Sequence, residues 1–74
     1  MDLNETELRI LGMLKDKQNK GDKEIGIDIF EQKFGREKSE SILELLDKEG
    51  YIEYECRLAT ILKKGLDKLK ELGK

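Results

Sequence analysis

The side chains able to do chemistry in this chain are carboxylates, lysines, arginines, hydroxyls and one thiol, because histidine and tryptophan are both absent. Without imidazole, a His-based acid–base relay, a His-ligated metal and an imidazole-held haem are excluded. Glu53 and Glu55 share one strand face by the period of two, a spacing that suits a cation or a proton-exchanging pair, or else a solvated edge. Cys56 stands alone, so its options are a redox switch, a crosslink between chains or an ordinary thiol. Tyr51 and Tyr54 offer rings either for stacking on bases or for covering a core. The sequence holds no phosphate-cradling glycine loop, no metal-binding cysteine set and no nucleophile with its base. A core this small seldom frames a deep pocket, so the chain is expected not to be an enzyme and to need no metal or cofactor.

These residues sit in a chain of 74, a length that supports one small domain, expected over 1–74. It is 36% hydrophobic and 43% charged, with a formal charge of −2, which gives no bulk electrostatic pull toward nucleic acid or anionic membranes. Affinity for either must come from a local patch. No apolar run approaches membrane-spanning length, and the amino terminus carries acids where a secretory signal needs bases. With a lone cysteine, these features lead to the expectation of a cytoplasmic protein. Lysine and glutamate dominate the charge, a bias shared by heat-adapted proteins and low-GC genomes.

The elements that must position the candidates follow from periodicity and glycines. Asn4 with Glu7 has the form of a capping box, and Leu3 can staple onto Leu8, so a helix is expected to start there. Its apolar residues Leu8, Ile10, Leu11, Met13 and Leu14 cover more of the wheel than one core-facing stripe needs. Polar Lys15 to Asp22 is expected to end that helix and form a loop. Lys23 to Ile27 reads as a short third strand beside a hairpin elsewhere. Asp28 repeats the capping pattern with Glu31, and a short helix follows through Phe34, turned by Gly35. A third helix is expected from Arg36 to Glu49, with Ser39, Ile42, Leu43 and Leu46 inward and Leu45 at the flank. Gly50 can end it in a Schellman arrangement, with Tyr51 packing back on Leu46. Tyr51 to Tyr54 and Leu58 to Ile61 read as strands joined by a turn at Glu55, Cys56 and Arg57. From Leu62 a terminal helix places Leu62, Leu66, Leu69 and Leu72 on one side and lysines on the other. The fold class is therefore α+β and mostly helical, in the order helix, strand, helix, helix, strand, strand, helix.

Three stretches carry a resemblance: Asp28-x-Phe30-x-x-x-Phe34-Gly35, Leu43-x-x-Leu46-x-x-x-Gly50-Tyr51-Ile52 and Ile61-Leu62-Lys63-Lys64-Gly65-x-x-x-Leu69. Over nearly its whole length the chain resembles the winged helix-turn-helix regulators of bacteria and archaea. The resemblance implies a three-helix core, a short three-stranded sheet with a wing, and a C-terminal helix. It also implies a module whose third helix enters the DNA major groove while the wing touches the backbone beside it. Under that reading Arg36, Lys38 and Ser41 on the third helix, Arg57 on the wing, and Lys63 and Lys64 on the terminal helix contact double-stranded DNA. The residues themselves favour reading the terminal lysines as the solvated face of a leucine-striped helix over DNA contact.

A single small module makes few phosphate contacts, so a homodimeric transcriptional regulator is expected. Its interface is expected on Ile10 and Met13 of the first helix with Leu66, Leu69 and Leu72 of the last. The alternative is a winged-helix adaptor for another protein, because Glu37, Glu40 and Glu44 make the third helix acidic and carboxylates repel phosphates.

Overall fold

The computed structural model describes residues 3–21 and 24–73. Chain order is α1 (Glu5–Asn19), β1 (Ile25–Gly26), α2 (Ile27–Phe34), α3 (Arg36–Lys48), β2 (Ile52–Glu55), β3 (Leu58–Ile61) and α4 (Lys63–Glu71). The described chain is thus α+β, with four helices and one small antiparallel sheet, as its residue pattern predicts.

Helix α1 begins on the capping box. Asn4 accepts from the Glu7 amide at 2.9 Å, and the Glu7 carboxylate accepts from the Asn4 amide at 2.8 Å, so two otherwise orphaned donors are satisfied reciprocally. The helix runs to Asn19, past the expected end near Lys15. Its last turns need no apolar face, because the 3.1 Å Asp16–Lys20 ion pair and unbranched side chains sustain the ladder in water. Asp22 and Lys23, the end of the expected loop and the start of the expected strand, lie outside the described residues.

Helix α2 corrects the capping assignment made for Asp28. Gly26 takes the extended cap position and makes no side-chain cap, while Asp28 lies inside the first turn, where its charge complements the helix dipole. The reason is tertiary: the Ile27 amide donates to the Arg57 carbonyl at 2.9 Å, so the hairpin turn sets where α2 begins. Gly35, at φ 95°, then turns the chain directly into α3. At the other end of α3 the Tyr51 amide bonds the Leu46 carbonyl and the Gly50 amide bonds the Asp47 carbonyl, both at 3.0 Å, with Gly50 at φ 82°. This is the expected Schellman termination.

Strand β3 is central, pairing antiparallel with β2 on one side and with β1 on the other. The Glu55–Leu58 register leaves a two-residue turn, and Cys56 and Arg57 both adopt left-handed φ values of 53° and 63°, the pattern of a type I′ hairpin. The core is made by Ile10, Leu11 and Leu14 of α1, Phe30 of α2, and Leu43 and Leu46 of α3, closed by the sheet and by Leu69 of α4.

Two expectations for a partner-facing surface are corrected here. Ile10 is 0% and Leu69 1% exposed, so both are consumed by the protein's own core and offer nothing to another chain. Of the remaining proposed contacts, Met13 and Leu66 are half-buried and Leu72 is exposed. Among the described residues no helix is long and apolar enough to cross a membrane.

Candidate nucleic-acid interface

The four inward residues of α3 bury Ser39, Ile42, Leu43 and Leu46, so helical spacing turns Glu37, Ser41, Glu44 and Lys48 directly outward. Arg36 and Lys38 then fall on opposite flanks of the first turn, both exposed. Gly35 occupies the cap position of α3, and among the described residues no side-chain cap is made there, which leaves its first amides available to an acceptor from outside.

Beside that helix start lies Glu31 of α2. Its Oε2 is 3.9 Å from Arg36 Nε and its Oε1 is 3.8 Å from Arg57 Nη2, so one carboxylate gathers an arginine from α3 and another from the hairpin turn. These separations are those of charge pairs rather than hydrogen bonds, and the arginine side chains remain 82% and 67% exposed. Their N–H donors still face water. Arg36 and Arg57 thus share one surface at the start of α3, although they are far apart in the chain.

The rest of this surface is mixed in sign. Glu37, Glu40, Glu44 and Asp47 are exposed along α3 against Arg36, Lys38 and Lys48, while Glu53 and Glu55 are exposed on the hairpin. Tyr54 is half-buried among these acids. Burial raises its phenol above the ordinary tyrosine value, the Glu40 carboxylate adds to the rise, Arg57 opposes it, and Glu44 and Glu31 contribute further in the same direction as Glu40. At neutral pH Tyr54 is an uncharged donor.

Lys64 does not join this group, and its neighbour Lys63 lines the same hollow beside Tyr51 at the start of α4. The Lys64 ammonium donates to the Glu49 carbonyl and lies 4.7 Å from the centre of the Tyr51 ring, which pins it at the far end of α3. Arg36 begins the thirteen-residue α3 and Lys64 caps its other end at Glu49, a span of about 20 Å at 1.5 Å per residue. Tyr51 itself is buried and covers the core. Cys56 is exposed and free at the turn. Among the described residues no group of histidine, cysteine or acidic side chains is placed to hold a metal ion.

Residue spacing alone misses the bridging position of Glu31, for which it suggests only a capping partnership with Asp28. No local signal links Glu31 to Arg57, because the hairpin must first fold back on the start of α2. Comparison of the chain with family models, with curated proteins and with solved structures found no match.

Proposed function

We propose that this chain is a small winged-helix module that binds duplex DNA through the start of α3 and the β2–β3 turn, and acts in transcription regulation. The observation that carries the reading is the convergence of Arg36 and Arg57 on Glu31 beside the uncapped start of α3. The element order supports it, since a hairpin directly follows α3 and can reach the backbone beside a groove that α3 enters. Arg36 and Lys38, on opposite flanks of the first turn, suit phosphates on the two walls of a groove. Outward Ser41 and Glu37 suit base edges, the hydroxyl toward any base and the carboxylate toward a cytosine amino group. Glu31 holds the two arginines in place and offsets part of their charge, which makes the module a weak binder that depends on geometry.

The test is a fluorescence titration of duplex DNA over a range of salt. Arg36→Ala, Lys38→Ala and Arg57→Ala are each expected to lower the slope of log affinity against log salt by about one. Glu31→Gln is expected to tighten binding by up to about fivefold, the worth of an exposed pair of at most ~1 kcal/mol. Absence of binding at low salt, or slopes that ignore all three cations, overturns the reading.

A second reading has its own support. The outermost stripe of α3 carries Glu37 and Glu44, with Glu40 beside it and Glu53 and Glu55 on the hairpin, a surface suited to a basic protein partner. In that case the same fold is an adaptor, and Glu37→Lys with Glu44→Lys abolishes partner binding while strengthening any contact with DNA.

A further inference from the structure

Gly12 stands in the middle of α1, where glycine costs about 1 kcal/mol relative to alanine. A tight internal contact would explain that cost, but among the described residues, its chain neighbours and the nearby backbone of α1 apart, no atom lies within 4 Å of where a Cβ would stand. Gly12 therefore leaves an open notch on the surface of α1. Beside it lies half-buried Met13, and a shallow groove continues across Arg9 and Asp16 to Lys33 and Phe34 of α2.

The charges along this stripe are self-complementary. Glu5 and Arg9 form an ion pair at 2.9 Å one turn before the notch, and Asp16 and Lys20 form one at 3.1 Å one turn after it. Glu5, Arg9, Gly12, Met13, Asp16 and Lys20 fall at helical spacings of three and four, so they share one face. A second α1 laid antiparallel across the notch sets Arg9 against the partner's Asp16 and Glu5 against the partner's Lys20, twice by symmetry. Laid parallel, it sets each charge against its own like. Arg9 donates one N–H to Glu5 and has further donors for a second carboxylate.

We propose that the protein pairs with a second copy of itself through an antiparallel α1–α1 contact, in which Met13 of each copy fills the notch at Gly12 of the other. The contact is isologous, as a two-fold dimer requires, and its apolar centre is rimmed by charge pairs that set the register. It replaces the interface expected on Ile10 and Leu69, and it does not depend on whether DNA is the ligand. One α1 face is a small patch, so the dimer is weak and its population follows protein concentration.

Sedimentation equilibrium of the full chain over a wide concentration range, with circular dichroism and urea unfolding of each variant, tests this. The expected result is a monomer–dimer equilibrium for the parent protein. Gly12→Gln is expected to raise the stability of the monomer, through better helix propensity in open space, while removing the dimer. Arg9→Asp, which places acid against the partner's Asp16, is expected to weaken association about tenfold or more. Arg9→Asp combined with Asp16→Arg is expected to return it to within about threefold of the parent, since the pairing is restored with its signs exchanged. A parent protein that stays monomeric up to about 1 mM, where association is weaker than ~4 kcal/mol, overturns the proposal. So does a dimer that survives Gly12→Gln, and so does a double variant that fails to recover what Arg9→Asp loses.

Discussion

Ser39 faces inward from the first half of α3 with its Oγ fully buried and without a hydrogen-bond partner among the described residues. A buried hydroxyl left unpaired costs about 1–3 kcal/mol, and alanine fills nearly the same volume with better helix propensity. Ser39→Ala is therefore expected to stabilise the fold by about 1 kcal/mol, seen as a higher urea midpoint at unchanged slope. A lower midpoint would reveal a partner that the hydroxyl uses. The inward orientation of Ser39 is legible in the sequence, because it shares the spacing of Ile42, Leu43 and Leu46. Its lack of a partner is not, because that depends on what α2 and the sheet bring against it. The same holds for Glu31, whose two arginines come from different elements.

At the scale of elements, the hairpin and α4 each contain a position where backbone conformation or space decides the residue. Cys56 and Arg57 occupy left-handed backbone that β-carbon sterics disfavour by roughly 1–2 kcal/mol per residue. Cys56→Gly is expected to relieve part of this and stabilise the protein by roughly 0.5–1 kcal/mol in urea unfolding, after glycine's larger unfolded-state entropy is set against it. Arg57 stays in place, so its carbonyl still accepts from Ile27 and its side chain still meets Glu31. A destabilised variant would mean that the thiol makes a contact of its own.

Gly65 is the opposite case from Gly12. A Cβ there would run into the Tyr51 carbonyl oxygen and lie 2.8 Å from Ile61 Cγ1, so α4 can approach the sheet only with glycine at this point. Gly65→Ala is expected to destabilise by about 1–3 kcal/mol despite alanine's helix propensity, with the loss read from the urea midpoint. An unchanged midpoint would mean that α4 shifts without loss. Neither position is legible from composition. Glycine in a helix and cysteine in a turn become informative only once a neighbouring backbone or a hairpin register is known.

For the molecule as a whole, the ion pairs that the structure holds are mostly at the surface, where each contributes at most about 1 kcal/mol and salt screens it. Raising sodium chloride to about 0.5 M is expected to leave the urea midpoint nearly unchanged, whereas on the proposed DNA-binding reading affinity for DNA falls steeply over the same range. A fold that weakens in parallel with binding would mean that charge networks hold the core together. The stable part of the fold is instead the apolar interior shared by all four helices and the sheet.

The order of the seven elements among the described residues, the inward face of α3 and the glycine turns at Gly35 and Gly50 were determined by the sequence itself. Periodicity, capping and left-handed glycine act within a turn or two of chain, so they are present in the residues before any packing occurs. Tertiary structure alone decided that Ile10 and Leu69 lie in the core, that Glu31 gathers Arg36 with Arg57, and that Lys64 is pinned at the other end of α3. Each of those facts joins residues from different elements, and an apolar or charged side chain carries no mark of which distant neighbour will cover it until the helices close around the sheet.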